Sequence, residues 1–159
     1  MKRRAFLALV PALPLAGCGF QLRGSHAIPY RSIYLDAPKG THAARQLANA
    51  LRSQGVVLTE SINDAEVRLR LSQENRKRSI LSLSGGGRVR EYRLHYSLSY
   101  SLSDKEGGEI LPTTTIESTR DFTYDDNQYL AKTAEEDFLY RDLQDSAVQQ
   151  ILRRLAAPR

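Results

Sequence analysis

The chain has 159 residues, 41% of them hydrophobic, which suits one globular domain with a core large enough to need no disulfide staple. Its 23 Lys and Arg outnumber 18 Asp and Glu, but Lys2, Arg3 and Arg4 belong to the N-terminal leader, and the remaining 20 against 18 leave a charge of about +2. That near balance argues against a nucleic-acid partner, and a single cysteine leaves no pair for an internal disulfide.

The leader comes first. Three basic residues precede an apolar run from Ala5 to Leu15 and then Ala16-Gly17-Cys18. A positive start, a short apolar stretch and small residues before a cut are the parts of a secretory signal. The run is too short to span a bilayer, which takes roughly 20 apolar residues. Leu15-Ala16-Gly17-Cys18 resembles the bacterial lipobox, which implies removal of residues 1–17 and acylation of Cys18 (N-palmitoyl, S-diacylglycerol). Lipid chains then anchor the protein, each buried CH₂ contributing about 0.8 kcal/mol. The alternative is an ordinary secretory cut beside an incidental cysteine.

Residues 18–30 read as the lipidated N-terminus and a tether, and 31–159 as a single domain. Ser32 to Asp36 predicts a short strand ending at Pro38-Lys39-Gly40. Thr41 is a plausible N-cap for a helix with Ala44, Leu47, Ala48 and Leu51 on one face, and Gly55 sits where a left-handed C′ residue belongs. Val67, Leu69 and Leu71 alternate with polar residues as a half-buried strand. The polar run Gln73 to Ser79 interrupts it, Ile80, Leu81 and Leu83 resume it, and Ser84-Gly85-Gly86-Gly87 turns the chain. In the next strand Tyr92, Leu94, Tyr96, Leu98, Tyr100 and Leu102 share one face, and the tyrosines are expected in the core rather than in a ligand groove. Thr114, Ile116, Phe122 and Tyr124 share a face of a further strand. From about Asn127 to Ala157 a long amphipathic helix follows, with Ala134, Phe138, Ala147, Ile151 and Leu155 in its apolar stripe.

This order predicts an α+β two-layer sandwich: two helices packed on one face of a mixed, mostly antiparallel sheet of about four strands. Pairing Leu83 with Arg88 across the glycine turn sets Leu71 opposite Tyr100 and Leu69 opposite Leu102, and the side-chain period of two opposes a one-residue slip. The same register sets Arg76 opposite His95 and Arg78 opposite Arg93, on the face away from the helices. Facing like charges are destabilising, so either a bulge in the polar run relieves them or the cluster has acidic partners. Pairing Leu98 with Thr114 sets Glu117 opposite His95 and Asp121 opposite Glu91.

Three stretches carry a family resemblance. Cys18-Gly19-Phe20-Gln21-Leu22-Arg23-Gly24 is similar to the mature start of the LPS-assembly lipoproteins of the LptE family. So is Arg120-Asp121-Phe122-Thr123-Tyr124, followed by Leu130-Ala131-Lys132 and Ala134-Glu135, and so is Glu91-Tyr92 after the glycine hairpin. The resemblance implies an outer-membrane lipoprotein at the periplasmic leaflet. Such a protein sits largely inside the lumen of the β-barrel LPS-assembly protein LptD, which it plugs and helps to assemble, and it assists insertion of lipopolysaccharide into the outer leaflet. Gly19, where an aspartate would retain a lipoprotein at the inner membrane, fits that address. The resemblance implies no cofactor, and it links a lysine at the position of Lys132 to lipopolysaccharide binding.

From the residues themselves, the basic set around the hairpin (Arg76, Lys77, Arg78, Arg88, Arg90 and Arg93) is the second candidate for holding phosphates, since Arg grips a phosphate through two parallel hydrogen bonds. The alternative is a solvated sheet face with cross-strand pairs, and for Lys132 an ordinary exposed lysine. No nucleophile elbow, P-loop or metal-type histidine spacing is present, so no catalytic or metal-binding residue is assigned and the chain is not expected to be an enzyme. Two other readings stand beside the barrel plug: an accessory lipoprotein of another envelope transport system, and an anchored hydrolase, which would need a cleft of convergent titratable groups.

Overall fold

The computed structural model describes residues 27–157, and the leader and Cys18 lie outside it. The described chain runs β1 (Ser32–Asp36), α1 (His42–Ser53), β2 (Val57–Thr59), β3 (Val67–Leu83), β4 (Val89–Asp104), β5 (Glu109–Thr123) and α2 (Tyr129–Leu155). The sheet order is β2-β1-β3-β4-β5; β1 lies parallel to β2 and to β3, and β3, β4 and β5 form an antiparallel meander. Both helices pack on the sheet, so the architecture is the expected α+β sandwich. The unforeseen fifth strand, β2, has three residues, too few for an alternation to register.

Local chemistry explains the ends of α1. The Thr41 hydroxyl accepts the Ala44 amide at 3.3 Å, and Gly55 adopts φ 83° just past the helix. The glycine turn forms as expected, with the Ser84 amide donating to the Arg88 carbonyl at 2.7 Å and Gly87 at φ 77°. The core lies between the layers: Ile33, Leu47, Leu69, Leu94, Tyr96 and Ile151 are all buried. Tyr100 is buried as well, and Tyr92 packs its ring against Phe122 and Tyr124. The tyrosine stripe is therefore core.

Two of the predicted pairings, Leu69 opposite Leu102 and Leu71 opposite Tyr100, are present, but the register changes between Ser72 and Asn75. Beyond that bulge Arg76 faces Tyr96 and Arg78 faces Leu94, not His95 and Arg93, and Leu83 faces Val89 rather than Arg88. The extra residue moves Arg76 and Arg78 onto the helix side of the sheet, contrary to their expected place on the open face. The polar run does not interrupt the strand, because these residues find partners on α2. Lys77 is left on the open face opposite His95.

The β4–β5 register also differs by two residues from expectation. Leu98 faces Ile116, so Asp121 sits opposite Arg93 rather than Glu91, and Glu117 opposite Ser97 rather than His95. Arg93 and Asp121 form a two-bond pair at 2.6 and 2.8 Å. The Arg93 hydrogen bond holds the Asp121 carboxyl below its ordinary range, against a smaller opposing effect of burial. A direct ion pair decides a register that apolar alternation leaves open, since a shift of two residues keeps every side chain on its face.

The stripe assigned to α2 mixes two faces. Ala147, Ile151 and Leu155 are buried, whereas Ala134 is exposed and Phe138 is 62% exposed. Phe138 and Ala147 are nine residues apart, about two and a half helical turns, and so point in opposite directions. Phe138→Ala is therefore expected to change folding stability by no more than about 0.5 kcal/mol in a urea titration; a loss on the scale of a core truncation would place Phe138 inside.

Candidate functional site

The first part of α2 lies on β3 through polar rungs. Arg78 reaches Glu136 at 2.6 Å and stacks over the Tyr92 ring at 4.3 Å. Arg76 stands 5.4 Å over the ring of Tyr140. Glu74 accepts hydrogen bonds from Gln144 at 2.6 Å and from the Tyr96 hydroxyl at 3.1 Å. These rungs recur every second strand residue, about 6.7 Å, and every fourth helix residue, about 6 Å. The two spacings nearly match, so a helix running against the strand meets each rung in turn. The bulge after Ser72 is what sets 74, 76 and 78 on the helix side. Burial, and then the Glu74 charge, push the Tyr96 phenol well above its ordinary range.

The ladder leaves one end of the molecule uncovered. Ile80, Leu81 and Leu83 are exposed at the end of β3, and Tyr129, Leu130 and Phe138 on the first turns of α2 are exposed as well, Leu130 to 81%. The two groups lie toward the same end of the sheet, because the last residue of β5, Thr123, pairs with Glu91 near the hairpin tip and α2 starts soon after. Arg88 and Arg90 stand exposed beside these apolar residues with no carboxylate partner among the described residues.

The structure therefore splits the sequence-derived set. Arg88 and Arg90 remain together at the tip, with no carboxylate partner among the described residues. Arg78 and Arg93 are held by Glu136 and Asp121. Arg76 lies further down the ladder, and Lys77 sits on the open face. Lys132 is 17% exposed and reaches Glu135 at 2.8 Å, one turn ahead of Glu136 on the same helix face. Cys18 lies outside the described residues. The exposed leucines were missed, although Ile80-Leu81 already breaks the alternation that a strand with one buried face requires. Among the described residues no cluster of three His, Cys, Asp or Glu could hold a metal, and no helix is long and apolar enough to cross a membrane.

A basic tip flanked by exposed apolar residues, on a mixed sheet carrying two helices, can be set beside known proteins. The model of the LptE lipopolysaccharide-assembly family matches residues 30–155, nearly all of the described chain. The chain belongs to the LptE family. An LPS-assembly lipoprotein of Pectobacterium atrosepticum is 28% identical to this LptE-family chain over 162 residues, covering 98% of the chain and 86% of the relative. A solution structure of lipoprotein B from Nitrosomonas europaea superposes with a TM-score of 0.75 at 36% identity, covering 87% of the chain and 91% of the relative. The crystal structure of rare lipoprotein B from Shewanella oneidensis gives 0.70 at 28% identity, with 79% and 93% covered. The family is one of LPS-assembly lipoproteins, in keeping with an outer-membrane address.

Proposed function

We propose that this LptE-family protein is tethered to the periplasmic leaflet of the outer membrane through acylated Cys18. There it fills the lumen of the β-barrel LPS-assembly protein LptD, helps that barrel to assemble, and assists the passage of lipopolysaccharide into the outer leaflet. The observation that carries the lipid-handling part is the tip: Arg88 and Arg90, without a carboxylate partner among the described residues, beside exposed Leu81 and Leu83. Phosphates on lipid A suit the two guanidinium groups, and acyl chains suit the leucines. Pairing those phosphates lowers the repulsion between neighbouring anionic lipids. Lys132 adds a third contact by exchanging Glu135 for a phosphate, while Arg78 holds α2 against the hairpin.

The sandwich suits a plug because its two-layer core gives it a shape of its own before it meets a wall. Purification from native outer membranes tests the partner. A stoichiometric, detergent-resistant complex with a large β-barrel, identified by mass spectrometry, is the expected result. Recovery with the subunits of a different envelope transporter would replace this reading with the accessory-lipoprotein one. Replacing Cys18 by Ser is expected to release the protein from the membrane fraction; retention would contradict the lipid anchor.

A further inference from the structure

Most of the arginines on the sheet are neutralised. Arg68, Arg70, Arg78, Arg93 and Arg120 each reach a carboxylate. Arg45, Arg76 and Arg141 reach none among the described residues, and all three line one open cleft of about 760 Å³. They come from three elements, α1, β3 and α2, so the cleft depends on the assembled fold and has no signature in the sequence.

Its floor adds to the positive field. Gly40, Thr41 and His42 at the start of α1 line the cleft. Thr41 satisfies the Ala44 amide, which leaves the amides of His42 and Ala43 without a helical acceptor at the positive end of the helix. Arg45 donates to the Gly40 carbonyl at 2.7 Å, which ties its guanidinium to this loop. On the opposite wall stands Gln73 at φ 48°, the one described non-glycine residue in the left-handed region. That conformation is unfavourable for a residue with a Cβ, and it belongs to the bulge that brings Arg76 round to this side.

Two acids share the lining, Glu74 and Asp137. Glu74 is already engaged by Gln144 and Tyr96. His42 reaches Asp145 at 2.8 Å. Three guanidinium groups and a helix start thus face two carboxylates, which leaves the lining net positive.

We propose that this cleft binds a phosphate group, as a monoester or a diphosphate, between Arg45, Arg76 and Arg141 above the start of α1. The site is separate from the hairpin tip: Arg76 lies eight residues before Ser84, about 26 Å along a strand. It does not depend on the tip's role. The phosphate is borne either by a lipid or by a small soluble molecule, and the chemistry of the cleft is the same for both.

Inorganic pyrophosphate titrated into the detergent-purified protein is expected to give saturable NMR shifts at the His42 and Ala43 amides. Arg76→Gln and Arg141→Gln each weaken the binding about tenfold, and added salt weakens it further. Arg88→Glu with Arg90→Glu leaves it unchanged, so failure at the tip and failure in the cleft are read separately. No saturable shift, no response to salt, or an unaltered curve in the doubly substituted R76Q/R141Q protein, whose amide spectrum elsewhere reports its fold, would overturn the proposal. Lipopolysaccharide that shifts the same amides and competes with pyrophosphate assigns a lipid-borne phosphate; pyrophosphate binding without that competition assigns a soluble one.

Discussion

Replacing Arg88 and Arg90 together by glutamate is expected to lower the affinity for lipopolysaccharide by roughly a hundredfold or more, with thermal stability unchanged. Each guanidinium offers a phosphate a charge-assisted hydrogen bond that contributes about 1.5–3 kcal/mol, and each glutamate adds repulsion where there was attraction. Stability is spared because both side chains are exposed and hold no carboxylate among the described residues. The contrasting variant is Arg93→Glu. It breaks the pair with Asp121 and sets two carboxylates face to face across β4 and β5, so it weakens the sheet without removing a tip contact. Equilibrium binding to labelled lipopolysaccharide, alongside a thermal melt, separates the two. Unchanged affinity in a folded R88E/R90E protein would remove the tip from the lipid-binding surface.

Gln144→Glu is expected to cost about 3–4 kcal/mol of folding stability at pH 7. Gln144 is fully buried and its amide nitrogen lies 2.6 Å from the Glu74 carboxylate, while its own amide oxygen has no donor among the described residues. A carboxylate at this place meets a like charge at contact distance, so one of the two must keep its proton. The cost at pH 7 is limited to the free energy of protonating one carboxyl, which sets the magnitude above. The sign follows from linkage: the shared proton has a folded-state pKa above the unfolded value near 4.3. The folded state therefore binds more protons, and the penalty grows as pH rises above that value. Below about pH 4 the penalty vanishes. Gln144→Leu removes the unpartnered oxygen together with the bond to Glu74, and the two losses offset to within about 1 kcal/mol. Urea titrations of the three proteins at pH 4.5 and 7.5 measure this, and a Gln144→Glu protein as stable as the parent at pH 7.5 would show that α2 does not hold Glu74 in solution.

Both predictions depend on placements that differ in how far the chain alone reveals them. The alternation from Tyr92 to Leu102 is visible in one dimension, because a strand with one buried face repeats every two residues. The Thr41 cap, the Gly55 stop and the glycine turn are local too, since each satisfies backbone groups within a few residues. The lipobox-like Leu15-Ala16-Gly17-Cys18 and the Leu130-Ala131-Lys132 stretch are short motifs, readable without a fold. The leading pairs Leu69–Leu102 and Leu71–Tyr100 follow from the same period, because a slip of one residue would bury serines.

The bulge after Ser72 is different in kind. Facing arginines foretold either a bulge or acidic partners, and the structure has both. Which residue becomes the extra one, and which face Arg76 and Arg78 then take, depends on α2 offering Glu136 and Tyr140 at a matching pitch. Those partners lie some 60 residues away in sequence. The phase of α2 is of the same kind: Phe138 and Ile151 are equally apolar, and only the face that the helix turns toward the sheet decides which of them is buried.

By itself, the sequence determined the α+β class, the ends of α1, the core face of β4 and the family to which the chain belongs, since each is written in neighbouring residues or in a short period. Tertiary structure alone decided which arginines are neutralised, which stand at the hairpin tip without a carboxylate among the described residues, and which converge on the cleft beside α1. The reason is that charge pairing acts through space over a few ångströms, and residues far apart along the chain reach that distance only when strands and helices pack.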